Sequence, residues 1–98
     1  MALDPDKTEE DIEKALASLG KLRILRILMK TPDHAFTRYE IGKKTPLNQT
    51  DIKNNVKTLV EVGWVKELTT QHLQKYSINL DNEVVSQLYD CFKKIKYV

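Results

Sequence analysis

The sequence predicts an α+β fold, mainly α with a small β-hairpin near its C-terminal end. Three observations predict it. Apolar residues recur at helical spacing through residues 12–19, 22–29 and 52–60. After Gly63 the pattern changes to short extended runs, and helical spacing returns over residues 85–95.

Each element follows from local chemistry. Thr8-Glu9-Glu10-Asp11 has the form of a capping box, a hydroxyl followed three residues on by a carboxylate, so a first helix is expected from Thr8 through Ile12, Ala15, Leu16 and Leu19. Ser18-Leu19-Gly20 either ends this helix or interrupts it. From Leu22 to Met29 apolar residues cover most of the circumference, which predicts a central helix buried on several sides. Its remaining narrow face carries Arg23, Arg26 and Lys30, most simply read as a solvated face. Thr31-Pro32 stops it, because the residue before proline is pushed out of the helical region. Thr37-Arg38-Tyr39-Glu40 is a complete capping box for a short helix to about Lys44, and Thr45-Pro46-Leu47 makes a tight turn. Asn48 opens a helix over residues 48–62, with Gly63 as its C-terminal stop.

Residues 64–69 and 76–80 are rich in strand formers or alternate with period two. The intervening 70–75 lacks glycine and Asn-Gly, so a loose hairpin tip is expected rather than a tight primed turn. Asp81 is the expected cap of a last helix, whose Val85, Leu88, Phe92 and Ile95 recur in steps of three, four and three. That stripe either lies back on its own domain or pairs with a second copy. The shortness of the chain favours pairing, with Ile12 and Leu16 of the first helix joining the interface. Trp64 and Cys91 are expected to be buried, Cys91 as a small hydrophobe.

Ninety-eight residues make one domain, with 1–7 expected as a flexible acidic tail, 8–80 as the main unit and 81–98 as its C-terminal helix. A net charge of +2 says little, but its distribution says more. Residues 1–13 hold six acids against Lys7, whereas 21–57 hold nine bases against three acids, which points to a local anion-binding face. A lone Cys91 gives no disulfide framework, and the acidic start resembles no signal peptide. The longest apolar stretch is too short to span a bilayer, so a cytoplasmic location and no membrane partner are expected. With no glycine-rich phosphate loop, no zinc spacing and no nucleophile beside a histidine and an acid, the chain reads as no enzyme, with no cofactor and no metal.

A short helix, a tight turn, a second helix with a polar outer face and then a hairpin form a winged helix-turn-helix arrangement, here with an additional C-terminal dimerisation helix. A helix about 10–12 Å across fits the major groove of DNA, where each base pair shows its own donor and acceptor pattern. Gln49, Thr50, Lys53 and Asn54 are the candidate base readers. Arg38, Lys43, Lys44 and Lys57 are candidate phosphate contacts, with Asn55 at the helix margin and His72 and Lys75 on the wing.

The runs Leu19-Gly20-Lys21-Leu22-Arg23-Ile24-Leu25-Arg26-Ile27-Leu28, residues 48–62, and Gly63-Trp64-Val65 resemble the winged helix-turn-helix regulators of bacteria and archaea. The similarity is greatest to the ArsR-like branch, with some MarR-like character, and covers about two thirds of the chain. It implies a homodimer on palindromic double-stranded DNA, with the helix from Asn48 in the major groove and the wing on the flanking backbone or minor groove. Metal-sensing ArsR members carry paired cysteines or histidines. Here Cys91, His34 and His72 stand singly, so metal sensing does not follow. An effector is unidentified. The rivals are an architectural DNA binder without sequence choice and a winged-helix module for protein contacts.

Overall fold

The computed structural model describes residues 5–98. Helix α1 (Pro5–Ala15) and helix α2 (Leu19–Lys30) are followed by strand β1 (Phe36–Thr37), α3 (Arg38–Lys43) and α4 (Gln49–Glu61). Strands β2 (Val65–Thr70) and β3 (Leu73–Ile78) then form a hairpin, and α5 (Glu83–Lys94) closes the chain. The sheet is antiparallel in the order β1-β3-β2, with Phe36 opposite Tyr76 and Val65 opposite Ile78.

The expected first cap is wrong. Helix α1 begins at Pro5, whose fixed φ suits a first helical position, so Thr8 lies inside the helix. Of the expected 1–7 tail, residues 5–7 are therefore helical, and 1–4 lie outside the described residues. The chain does break after α1: Ser18 is the N-cap of α2, its hydroxyl accepting from the Lys21 N–H at 3.2 Å.

Helix α2 is the central one. Ile24, Leu25, Leu28 and Met29 are at most 1 % exposed and sit in one core with Ile41, Ile52, Val56, Leu59 and Trp64. Burying each such side chain is worth about 1.5–3 kcal/mol, so this face fixes how α4 lies on α2. The capping box opens α3 as expected: Thr37 Oγ1 accepts from the Glu40 N–H, and Glu40 Oε1 accepts from the Thr37 N–H, both at 3.1 Å. Asn48 caps α4 by accepting from the Asp51 N–H at 2.8 Å. At its other end Gly63 has φ +79°; its N–H donates to the Val60 carbonyl and that of Trp64 to the Leu59 carbonyl, each at 3.0 Å. That pairing is a Schellman stop, which needs a left-handed residue.

Four further expectations are corrected. The hairpin tip is tight, with Gln71 and His72 as a two-residue loop at φ +51° and +69°, the hand of a primed turn. The twist of six paired residues per strand selects that turn even without glycine. The last helix is capped by Asn82, which accepts from the Val85 N–H, and not by Asp81, whose carboxylate bonds Lys66 instead. Cys91 is exposed, because at 100° per residue it lies about 120° around α5 from the buried Val85. Val85 is fully buried in its own protomer, where the first turn of α5 joins the main core, so it is unavailable to a second copy.

Candidate nucleic-acid interface

Helix α4 buries Ile52, Val56 and Leu59 and leaves Gln49, Thr50, Lys53, Asn54 and Lys57 exposed on its outer side. The period of 3.6 residues alone makes this division. At about 1.5 Å per residue the helix is roughly 20 Å long, enough to cross a major groove about 12 Å wide.

The four candidate base readers are thus on one open face, and three of them border a groove. Gln49, Thr50 and Lys53 line it from α4, Arg38 and Tyr39 from the start of α3, and Thr69, His72 and Gln74 from the wing. It has a volume of about 750 Å³. The groove exists because the Thr37–Glu40 cap starts α3 beside the N-terminus of α4, while β1 pairs with β3 and holds the wing alongside. Asn54 lies outside the groove, one turn along the same helix.

Gln49 is partly pre-positioned, its Nε2 donating to the Arg38 carbonyl at 3.3 Å. Gly42 makes that approach possible, since a Cβ there would stand 2.5 Å from Gln49 Nε2. The ammonium of Lys43 lies 4.7 Å from the ring centre of Tyr39, a cation–π contact that carries positive charge to the rim. Lys53 and Lys57 border a second hollow with Arg38 and Gln74, which Glu61 and Glu67 also line. Burial pushes the Tyr76 hydroxyl up from its ordinary pKa, helped by the Glu67 charge, so it stays a neutral donor to Gln74 Oε1 at 3.3 Å. In the first turn of α3, the Glu40 carboxyl is held below its ordinary pKa by the Thr37 N–H and by His34, whose Nε2 is 3.1 Å away.

Three of the expected phosphate contacts stand elsewhere. Lys44 is at the far end of α3, in a separate cleft with residues of α2. Asn55 is half-buried at the α2–α4 contact, where its Oδ1 accepts from Lys21 Nζ at 3.2 Å. Lys75 pairs with Leu68 and, by strand alternation, lies on the sheet face away from Gln74 and Tyr76. Conversely, Tyr39, Thr69 and Gln74 were not foreseen. Tyr39 is 65 % exposed, and its signal in the sequence is its place at the second position of a capped helix.

Leu16, just beyond α1, and Ile95, just beyond α5, are 37 % and 65 % exposed. Ile12, Leu88 and Phe92 are part-buried and pack against the protomer's core. Among the described residues no group of three or more histidines, cysteines and carboxylates could hold a metal ion, and no helix is long and apolar enough to cross a membrane.

This architecture is that of the ArsR-family winged helix-turn-helix regulators. The homodimeric winged helix-turn-helix DNA-binding domain of Mb0332 from Mycobacterium bovis, described as a possible ArsR-family transcriptional regulator, is 25 % identical, with a TM-score of 0.72 over 94 % of this chain and 80 % of that one. HlyU from Vibrio cholerae superposes with a TM-score of 0.76 at 19 % identity over 97 % of both chains. An ArsR family transcriptional regulator gives 0.67 at 15 % identity over 99 % of this chain and 96 % of that one. No protein-family model and no curated protein matches the sequence.

Proposed function

We propose that the protein is a transcriptional regulator that binds double-stranded DNA as a homodimer on a palindromic site, with α4 in the major groove. The observation that carries this reading is the groove shared by α3, α4 and the wing. A capped helix presents an amide, a hydroxyl and an ammonium in one row, with Arg38, Lys43 and Lys57 around it. Amide groups pair bidentately with adenine, and lysine with guanine or phosphate. The N-terminal end of α4, beside its Asn48 cap, adds partial positive charge where phosphate oxygens would pass. The Mb0332 domain is described as DNA-binding and as a possible transcriptional regulator, and the ArsR family relative as a transcriptional regulator.

Dimerisation is supported by Leu16 and Ile95, exposed apolar side chains that follow α1 and α5, the helices that carry the part-buried Ile12, Leu88 and Phe92. A two-fold dimer of protomers 36 Å in longest extent can set two α4 helices about 34 Å apart, one turn of DNA. Replacing Asn54 by alanine should relax preference at one base pair and cost about 1–3 kcal/mol on the preferred site.

The test is selection of bound duplexes from a random pool at about 150 mM salt, where exposed charges beyond roughly 8 Å are screened. A palindrome with half-sites about 10 base pairs apart is the expected result. Binding without an enriched motif would make the protein an architectural binder, and no binding at all would leave a protein-contact module.

A further inference from the structure

The end of α3 away from the wing meets α2 in a separate cleft, of about 620 Å³, which shares no lining residue with the groove. Arg23, Arg26 and Lys30 enter it from successive turns of α2, and Lys44 from the C-cap of α3. No carboxylate lines it, and among the described residues none forms an ion pair with any of the four. Four like charges in one concavity repel one another, and an anion placed among them relieves that repulsion.

Two details suit a phosphate group in particular. Arg26 is held in place by the C-terminal segment: its Nε donates to the Tyr97 carbonyl at 2.9 Å, and its guanidinium carbon is 4.8 Å from the centre of the Tyr97 ring. The terminal amino groups of that guanidinium remain for a ligand, in the planar fork that matches phosphate oxygens. Thr45, which also lines the cleft, has its Oγ1 buried without a hydrogen-bond partner among the described residues. Turned about χ1 toward the cleft, that hydroxyl would gain an accepting ligand oxygen in place of no partner.

We propose that this cleft is a phosphate-binding site, distinct from the α4 groove. Its occupant is a phosphate group, either of the DNA backbone beyond the groove or of a free phosphorylated ligand. Only the first source rests on the DNA-binding reading.

The test uses the full chain and two probes. In the first, inorganic pyrophosphate is titrated while backbone amide spectra are recorded. Residues 23, 30, 44 and 45 should move together along one saturable curve, and Arg23→Gln with Lys30→Gln should weaken the affinity at least tenfold. Both side chains are exposed, so the double variant should fold, which Trp64 fluorescence verifies; Lys44→Gln provides a second, independent variant. In the second, affinity for a duplex is measured against salt. If the source is backbone phosphate, the double variant lowers the salt slope by about 0.9, the value for one phosphate. A pyrophosphate response alone assigns the site to a free ligand, and a slope change alone assigns it to DNA. If the chain binds no duplex, the DNA-binding reading fails and the pyrophosphate titration decides the cleft by itself. The proposal is overturned if the double variant leaves both readouts at wild-type values, or if pyrophosphate shifts the α4 face as strongly as the cleft.

Discussion

Replacing Gly63 by alanine isolates one backbone conformation as the determinant of where α4 ends and the wing begins. Gly63 has φ +79°, in the left-handed region. A Cβ added there would meet only Asn82 Nδ2 at 4.0 Å, an ordinary contact, so no steric clash contributes. The cost is therefore that of the left-handed backbone itself, about 1–2 kcal/mol for a residue with a Cβ. Alanine also restricts the unfolded chain, which offsets about 0.4–1 kcal/mol. The net loss should be about 1 kcal/mol. Urea unfolding followed by Trp64 fluorescence reads it directly, since this single tryptophan is 1 % exposed and adjacent to the substitution. With a slope of about 1–3 kcal/mol/M for a small protein, the midpoint should fall by roughly 0.3–1 M. Protomer concentration must be held fixed, because a dimer's stability depends on it. Asparagine, which tolerates the left-handed region better, should recover part of the loss. The reasoning is refuted if alanine matches the wild type or if asparagine is no better than alanine.

Three further expectations follow from the same structure. Glu40 titrates below its ordinary value when folded, so as pH falls the unfolded chain takes up its proton first. Its stabilising effect is present above the ordinary glutamate pKa of about 4.3 and is lost as pH drops through the lowered value. Urea midpoints measured from pH 7 to pH 3 should therefore fall less steeply in Glu40→Gln, and equal slopes would exclude this group. Leu16→Asp with Ile95→Asp should give a folded monomer by light scattering, because neither side chain belongs to the protomer core; an intact dimer would place the interface elsewhere. Gly42→Ala should keep or raise the urea midpoint, since alanine is the better helix former by about 1 kcal/mol, yet it forces Gln49 off the Arg38 carbonyl. The selected DNA motif should therefore change at one position, and an unchanged motif would remove Gln49 from base reading.

What the sequence made legible was whatever depends on neighbours along the chain. Thr37 and Glu40 are three residues apart, Asn48 precedes an apolar stripe, and Gly63 follows one; these local signals placed α3, α4 and its stop. The groove face was legible for the same reason, since Ile52, Val56 and Leu59 in the core leave Gln49, Thr50, Lys53 and Asn54 outward. What depended on tertiary partners was not legible. Strand β1 is two residues long and exists only as a neighbour of β3. The left-handed Gln71 and His72 are imposed by strand twist against their own preference. Val85 and Phe92 share one stripe, yet only Val85 is wholly inside, because the core reaches the first turn of α5 and not its length. Lys43 and Lys44 are adjacent in sequence, yet Lys43 lies over the Tyr39 ring and Lys44 lines the cleft with α2, a division set by where α3 ends.

The central claim is that the outer face of α4 meets DNA. Backbone amide spectra of the isotope-labelled chain, recorded as a short duplex of arbitrary sequence is added at low salt, test it without knowledge of the operator, because phosphate contacts alone sustain such binding. The account predicts the largest shifts at residues 49, 50, 53, 54 and 57, with residues 38, 39 and 72 moving alongside. Shifts concentrated on α1 and α5, with α4 unmoved, would contradict it.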